Sequence, residues 1–298
     1  MTAHVEIFEI WPVALFVATG LVGLIAGSFL NVVAYRIPIM MELMWRRQCA
    51  DLQTQSFTSP PHAQGETFNL WWPGSACPNC GQPVAARHNV PVLSFLWLRG
   101  RCAGCGFRIS TRYPVVEMLA AVLGLVVAYT FGPSWHTVAA LLFTWALLAL
   151  ALIDIDHQLL PDSMTLPLLW AGLLISAVPL DGIPLFTDLR SSVIGAAAGY
   201  ATLWSVYQLF KLITGKEGMG YGDFKLIAAL GAWLGWQSLP LVILLSAGVG
   251  AAVGIAMILI GGRSRHVPIP FGPYLAGAGW VALLWGDQLV RLYENLLL

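Results

Sequence analysis

Long stretches without Asp, Glu, Lys or Arg recur along the chain and are separated by short charged segments. Twenty-six consecutive residues between Glu9 and Arg36 lack all four residue types, as do 36 residues between Glu117 and Asp154. A helix needs about 20 apolar residues to cross a bilayer. The first stretch therefore predicts one transmembrane helix, and the second, interrupted by turn-forming residues at 131–134, predicts two.

The same pattern continues to the end of the chain. Three further uncharged stretches lie between Asp162 and Asp181, between Arg190 and Lys211, and between Lys225 and Arg263. The first two predict one helix each, the third predicts two helices with a break at residues 235–240, and a last helix runs to about residue 287. The prediction is an all-α integral membrane protein with about eight transmembrane helices.

The predicted organisation has three parts. Residues 1–35 form the first transmembrane helix, residues 36–113 form a polar loop domain, and residues 114–298 form a seven-helix membrane core. The first helix is interpreted as retained rather than as a cleaved signal peptide, because no Lys or Arg precedes Arg36 and its apolar core is long.

The composition supports a membrane protein and excludes several other classes. Hydrophobic residues make up 58% of the 298 residues, charged residues make up 10%, and the mean hydropathy is +0.74. A soluble protein carries roughly 25% charged residues. No basic or acidic tract indicates a nucleic-acid partner, so the expected surroundings are membrane lipids.

The basic residues predict an orientation. Eight of the 15 Lys and Arg residues lie within residues 36–112. Because cytoplasmic loops are enriched in basic residues, this loop is expected in the cytoplasm and the N-terminus in the periplasm. Alternating helices then place 13 of the 15 basic residues on the cytoplasmic side, with Arg190 and Arg291 as the exceptions.

The polar loop contains two Cys-x-x-Cys motifs. The four cysteines are Cys77, Cys80, Cys102 and Cys105. Four thiolates at such spacing are typical of a closed, structural zinc site. Disulfides and buried reduced thiols are the alternatives, and a reducing cytoplasm disfavours the disulfides. Cys49 is left over and is interpreted as a packing residue.

Two aspartates at the ends of apolar helices are the candidate catalytic residues. Asp154 lies in IDIDHQLLPD (153–162) and Asp223 in GMGYGDF (218–224). Ionisable residues at a membrane are costly and usually functional, and two neighbouring carboxylates can divide the roles of acid and base. Two predicted helices separate the aspartates, so both return to one face. Asp156 is expected to point away from Asp154, and Asp162 is expected to cap the next helix.

These motifs resemble the type IV prepilin peptidases that also methylate their product. The matching segments, in the order of that family, are GSFLNVVAYRIP (27–38), the two Cys-x-x-Cys motifs, IDIDHQLLPD and GMGYGDFK. The Gly-x-Gly-Asp element is similar to that of the wider group of intramembrane aspartyl proteases.

The resemblance implies a function. The catalytic pair would be Asp154 and Asp223, and the loop would bind zinc. The enzyme would reside in the bacterial inner membrane and cut the leader from prepilins and pseudopilins on the cytoplasmic side. It would then methylate the new N-terminal residue with S-adenosylmethionine. Gly100, beside the second cysteine motif, is where a side chain would crowd the methyl-donor pocket.

Two other functional classes fit parts of the sequence. An ion-coupled membrane carrier also uses intramembrane aspartates, but it places them near the midplane and often shows internal repeats. A scaffold with a zinc loop would leave the Gly-Tyr-Gly-Asp element unexplained. Glycine pairs with four-residue spacing favour close helix packing, within the chain or in a homodimer. They are Gly23 and Gly27, Gly195 and Gly199, and Gly250 and Gly254.

Overall fold

The computed structural model describes residues 12–52, 68–179, 182–259 and 269–297. Within these ranges the regular structure is helical. Extended pairing is limited to two isolated bridges in residues 68–111, the segment with the four motif cysteines, which is called the cysteine loop below. The all-α prediction is therefore confirmed for the described residues. The chain divides into two compact units, residues 1–129 and residues 130–298. Three charged residues that bound predicted helices lie outside the described residues: Glu9, Arg263 and Arg265.

Nine α-helices follow one another along the chain. They are α1 (Pro12–Leu52), α2 (Leu93–Trp97), α3 (Arg112–Phe131), α4 (Trp135–His157), α5 (Asp162–Ala177), α6 (Leu189–Thr214), α7 (Tyr221–Leu234), α8 (Leu239–Leu259) and α9 (Gly272–Leu297) among the described residues. Eight of them have at least 14 residues, and α2 has five. Two short 3-10 turns, Ala86–His88 and Trp236–Ser238, complete the regular structure of this part of the chain.

Four segments of the described chain are long and apolar enough to cross a membrane. They are Val13–Cys49, Arg112–Phe131, Trp135–His157 and Trp236–Leu259. Helix α5 is apolar but has only 16 residues. Helix α7 has 14 residues, which gives a length of about 21 Å at 1.5 Å per residue. Helices this short do not span a hydrocarbon core of about 30 Å.

In the first unit, α1 is longer than the sequence pattern predicts. The charge at Arg36 does not end the helix, which continues through Pro38 to Leu52. The glycine pair of α1 packs directly on α3. A Cβ on Gly23 would lie 2.6 Å from the Ala121 Cα, and one on Gly27 would lie 2.5 Å from the Glu117 Cα. The two helix backbones therefore touch, as small residues permit.

In the second unit, α7 is the buried central helix. Leu226, Ile227 and Leu230 have no exposed surface. Helix α6 approaches it through glycine, since a Cβ on Gly199 would lie 2.8 Å from the Ile227 carbonyl oxygen. On the α5 side, the Trp233 indole N–H donates to the Leu168 carbonyl at 2.8 Å. This packing fixes the start of α7, where Asp223 lies.

The predicted breaks between helices are confirmed. Helix α3 ends at Phe131 and α4 begins at Trp135, with the Ser134 hydroxyl accepting from the Thr137 N–H at 3.4 Å. The break between α7 and α8 falls at Gly235, whose φ of +78° favours glycine. The third glycine pair packs less tightly than the other two, because Cβ atoms on Gly250 and Gly254 would each find a neighbour at 3.3 Å. All three pairs thus have close neighbours within the chain.

Candidate active site and cysteine cluster

Asp154 lies in the last turn of α4 and is buried, with 5% of its surface exposed. Helix α4 ends three residues later, and the N–H of Gln158, a residue in the left-handed conformation, donates to the Asp154 carbonyl at 2.9 Å. Asp156 is exposed. The two aspartates of the IDID segment therefore lie on different faces of the helix, as expected from their spacing.

Asp223 lies in the first turn of α7 and is also buried, with 7% of its surface exposed. Gly220 is the N-cap residue of this helix. Close packing explains why residue 222 is glycine, because an added Cβ would lie 2.6 Å from the Leu160 Cβ. Glycine at this position lets the loop between α4 and α5 lie against the start of α7.

The structure brings the two candidate aspartates together from separate helices. The Asp154 carboxylate lies against Gly272, and Asp223 follows Gly222 directly in the chain. Leu160 contributes to the same region, since it contacts the positions of both Gly222 and Gly272. The arrangement offers two buried carboxyl groups in one region, which is the combination that general acid–base hydrolysis requires.

Gly272 is a site residue that the sequence analysis missed. Its backbone N–H, at the first residue of α9, donates to Asp154 Oδ2 at 2.9 Å. A Cβ on Gly272 would lie 2.7 Å from the same oxygen. The partial positive charge of a helix N-terminus favours a carboxylate there. The available signal in the sequence is the segment PIPFGP (268–273), which lies directly before the last helix.

Two ion pairs border the aspartates. Lys225 Nζ lies 2.6 Å and 2.7 Å from the two carboxylate oxygens of Asp162 and so joins α7 to the start of α5. The predicted capping role of Asp162 is wrong: it is the first residue of α5, and Pro161 occupies the N-cap. The second pair joins Lys211 Nζ to Glu217 Oε1 at 2.8 Å, and this hydrogen bond lowers the pKa of the Glu217 carboxyl.

Aromatic side chains support the Gly-Tyr-Gly-Asp turn. The buried Tyr207 ring of α6 lies 5.7 Å from the Tyr221 ring and 5.5 Å from the Phe224 ring. Tyr221 and Phe224 flank Asp223 on α7. The ring contacts therefore hold the first turn of α7 against α6.

The four motif cysteines form one cluster. Their Sγ atoms all lie within 4.8 Å of one another, and no disulfide links them. The Sγ atoms of Cys77 and Cys105 are 3.8 Å apart. Tetrahedral zinc with Zn–S bonds of about 2.3 Å separates its sulfurs by about 3.8 Å. The cluster therefore fits a four-coordinate metal ion of this size.

Each cysteine motif is closed by the same backbone pattern. The Gly81 N–H donates to the Cys77 carbonyl at 2.9 Å, and the Gly106 N–H donates to the Cys102 carbonyl at 3.0 Å. Both glycines have φ near +70°, a conformation that glycine adopts without strain. The Asn79 side chain donates to Cys105 Sγ at 3.6 Å, and this hydrogen bond together with one from the Phe107 backbone lowers the pKa of the Cys105 thiol to about 6. Cys49 is exposed, so the interpretation of Cys49 as a packing residue is wrong.

Gly100 is buried next to the second cysteine motif. Its φ is +66°, and an added Cβ would lie 2.9 Å from Phe95 Cζ. A side chain at this position would strain the backbone and displace the Phe95 ring. The structure thus gives Gly100 a conformational role in the turn between α2 and Cys102.

Comparison with known proteins places both regions in one family. The family model of the bacterial peptidase A24 N-terminal domain matches residues 21–131, which contain the four cysteines. The model of the type IV leader peptidase family matches residues 141–255, which contain both aspartates. A protein of Aeromonas salmonicida (strain A449) is 53% identical over 298 residues, which cover all of both chains.

The chain belongs to the type IV leader peptidase family. Other members support this assignment over nearly the whole length. A protein of Aeromonas hydrophila is 54% identical over 296 residues, or 98% of each chain. A protein of Pseudomonas aeruginosa is 51% identical over 282 residues, covering 95% of this chain and 94% of its own. All three relatives carry the name prepilin leader peptidase/N-methyltransferase. No solved structure matches this leader peptidase family chain.

Proposed function

We propose that this protein cleaves the leader peptide from prepilins and pseudopilins and then N-methylates the new N-terminal residue. Full-length relatives at 51–54% identity carry the name of that bifunctional enzyme. The observation that carries the proposal is the convergence of buried Asp154 and Asp223 from two helices, with the Gly272 N–H on one carboxylate.

The hydrolytic step is general acid–base catalysis without a covalent intermediate. One carboxylate takes a proton from the attacking water, while the other, protonated, polarises the scissile carbonyl. The pair shares one proton, so the two roles belong to the pair rather than to one residue. The Gly272 N–H holds one Asp154 oxygen, which fixes the direction of the carboxylate at the site.

The proposed setting is the bacterial inner membrane, with the aspartates facing the cytoplasm. The distribution of Lys and Arg supports this orientation. Three lysines lie near the end of α6 or the start of α7: Lys211, Lys216 and Lys225. Helices α5, α6, α7 and α9 would lie in the membrane in addition to the four apolar spans, which makes eight membrane helices. Helices α5 and α7 are shorter than the hydrocarbon core and would cross only part of it, and α7 is buried among the other helices of the second unit.

The proposed metal ion is zinc, held by Cys77, Cys80, Cys102 and Cys105. Four thiolates close the coordination sphere, so the ion would stabilise the loop and take no part in hydrolysis. S-adenosylmethionine is the proposed methyl donor, and it supplies an electrophilic methyl group for the new terminal amine. We place its pocket near Gly100, where the Phe95 ring lies against the turn.

The direct test is incubation of the purified protein with a prepilin and isotopically labelled S-adenosylmethionine. Mass spectrometry of the product measures loss of the leader and addition of the methyl group in one experiment. The proposal predicts both changes in the wild-type product. An ion-coupled carrier predicts neither, and an unprocessed prepilin under conditions that support a bona fide leader peptidase would reject the proposed function.

A further inference from the structure

Two segments of the cysteine loop carry large apolar side chains on the surface. In the turn 69–73, Trp71 is 80% exposed and Trp72 is 60% exposed. On α2, Trp97 is 88% exposed, and Leu93 and Leu96 are each 64% exposed. Positions 93, 96 and 97 have the i, i+3, i+4 spacing of one helix face. Exposed apolar clusters of this kind mark an interaction surface.

The turn 69–73 is attached to membrane helix α1 by a buried arginine. Arg36 donates to the Asn69 carbonyl at 2.9 Å and to the Pro73 carbonyl at 2.5 Å, and its guanidinium lies 5.5 Å from the centre of the Phe68 ring. Only 8% of Arg36 is exposed. The turn is therefore fixed where the uncharged part of α1 ends.

Trp71 reaches further along α1, into its apolar part. Its ring stacks on Phe29 with centroids 5.8 Å apart. Phe29 lies seven residues before Arg36, which is about 10 Å along the helix axis, and it belongs to the candidate membrane span Val13–Cys49. The exposed face of Trp71 is thus continuous with the lipid-facing surface of a transmembrane helix.

The start of α2 is attached to the other membrane helix of this unit. Glu117, in α3 and 8% exposed, accepts from the Val92 N–H at 2.7 Å. Glu117 lies five residues after Arg112, the first residue of the candidate span Arg112–Phe131. Val92 precedes Leu93 directly, so the apolar face of α2 also begins at the level of a transmembrane helix.

The charge of the loop suits an anionic bilayer surface. Residues 68–116 contain five arginines and no Asp or Glu. The arginines are Arg87, Arg99, Arg101, Arg108 and Arg112. Basic segments next to transmembrane helices are attracted to anionic lipids, and tryptophan concentrates at the membrane–water interface.

We infer that the turn 69–73 and helix α2 anchor the cysteine loop to the lipid surface around α1 and α3. Trp71, Trp72 and Trp97 enter the interfacial layer, and the arginines of the loop face the anionic headgroups. The inference rests on the contacts of residues 1–129 and is independent of the proposed peptidase activity.

The test is photo-crosslinking of the full-length protein in vesicles of phosphatidylcholine and phosphatidylglycerol. Three proteins carry p-benzoylphenylalanine in place of Trp71, Trp97 or Ala103. Ala103 is an exposed residue between the second pair of cysteines and serves as the matched control in the loop. A fourth protein carries the probe in place of Val17, a 56% exposed residue of α1, as the positive control.

We expect phospholipid adducts at positions 71 and 97, with yields within a few-fold of that at position 17 and well above that at position 103. Lipid adducts at position 17 without adducts at 71 and 97 would overturn the inference. Adducts to a polypeptide at 71 and 97, in place of lipid, would overturn it as well and would identify a protein partner for this surface.

A second pair of variants tests the attachment of α2. Glu117→Leu removes the acceptor for the Val92 N–H, whereas Glu117→Gln keeps an oxygen acceptor of similar size. Combined with the probe at position 97, Glu117→Leu should lower the lipid adduct several-fold and Glu117→Gln should retain it. The adduct at position 71 should not change in either variant. Equal adducts at position 97 in both variants would contradict the anchoring role of Glu117.

Discussion

The four cysteines come from two short segments that each close on themselves, whereas the aspartate site joins residues from three helices. Each Cys-x-x-Cys turn is completed by backbone bonds within a few residues, such as Gly81 to Cys77. By contrast, the bond from Gly272 to Asp154 spans 118 positions of the chain. One site depends on local turn geometry, and the other depends on how α4, α7 and α9 pack.

This difference determines which substitutions should matter. At the cysteine cluster, a change would act on the proposed metal ion and on the turn that carries its cysteine ligand. At the aspartate site, a single added methyl group on a packing glycine would move a carboxylate. Cleavage should therefore be sensitive to the helix contacts of the second unit and much less sensitive to the proposed metal ion of the first.

Replacement of either aspartate should have the largest effect. Asp154→Asn and Asp223→Asn keep the size and polarity of the side chain but cannot exchange the proton, so cleavage of a prepilin should fall by about 10³-fold or more. Asp156→Asn is the matched control on the same helix and should be mild, because Asp156 is exposed on another face. Initial rates in a peptidase assay measure the effect. Loss of activity only in Asp156→Asn would show that Asp154 is the wrong choice of catalytic residue in the IDID segment.

Gly272→Ala should have the next largest effect on cleavage. The new methyl group would lie 2.7 Å from Asp154 Oδ2, so the carboxylate or the start of α9 must shift, which should lower kcat by about 10- to 100-fold. Gly277→Ala lies on the same helix with no atom within 4 Å of the new Cβ, and it should leave kcat unchanged. Equal rates for the two variants would argue against the role of α9 in positioning Asp154.

Removal of the proposed metal ligands should affect cleavage less than replacement of an aspartate or of Gly272. The double variant Cys77→Ser and Cys80→Ser should lose the metal ion, about one per chain in the wild type. Elemental analysis of protein purified without chelator measures this loss, and Cys49→Ser is the control because Cys49 lies outside the cluster. Since both aspartates belong to the other compact unit, residual cleavage should exceed that of Asp223→Asn. Unchanged zinc in the double variant would exclude the cluster as the metal site.

Gly100→Val should separate the two activities and have the smallest effect on cleavage. Valine at a φ of +66° is strained by roughly 1–2 kcal/mol and would displace Phe95. Methylation should be lost while the leader is still removed. Gly74→Val, at an open position of the same loop, should retain both activities. Metal content measured in parallel distinguishes a blocked donor pocket from a disrupted cysteine turn, and a normal methylation rate would exclude this placement of the pocket.

The features that could be predicted from the sequence are those that depend on residues close together in the chain. The breaks at 131–134 and 235–240 were predictable because glycine and proline end helices, and the cysteine turns were predictable because ligand pairs and glycines recur at short spacing. The end of α1 was not predictable, because the helix continues past Arg36. The Arg36 side chain donates hydrogen bonds to backbone carbonyls in the turn 69–73. A charged residue therefore ended the apolar stretch without ending the helix.

Long-range contacts explain the rest of what was missed. The family resemblance led to Asp154 and Asp223, but nothing in the spacing of residues 154 and 272 indicated that Gly272 donates to Asp154. Likewise, Asp162 has the residue type of a helix cap, yet its carboxylate pairs with Lys225, 63 positions away. Such contacts depend on packing between helices, which a single sequence does not specify.

The most direct test of the account is the cleavage rate of the double variant Asp154→Asn and Asp223→Asn beside the two single variants. Two residues that act as one catalytic unit are strongly non-additive. We predict that the double variant is about as inactive as either single variant, with insertion into the membrane and zinc content unchanged. Substantial cleavage by either single variant, or losses that multiply in the double variant, would contradict a shared aspartate pair.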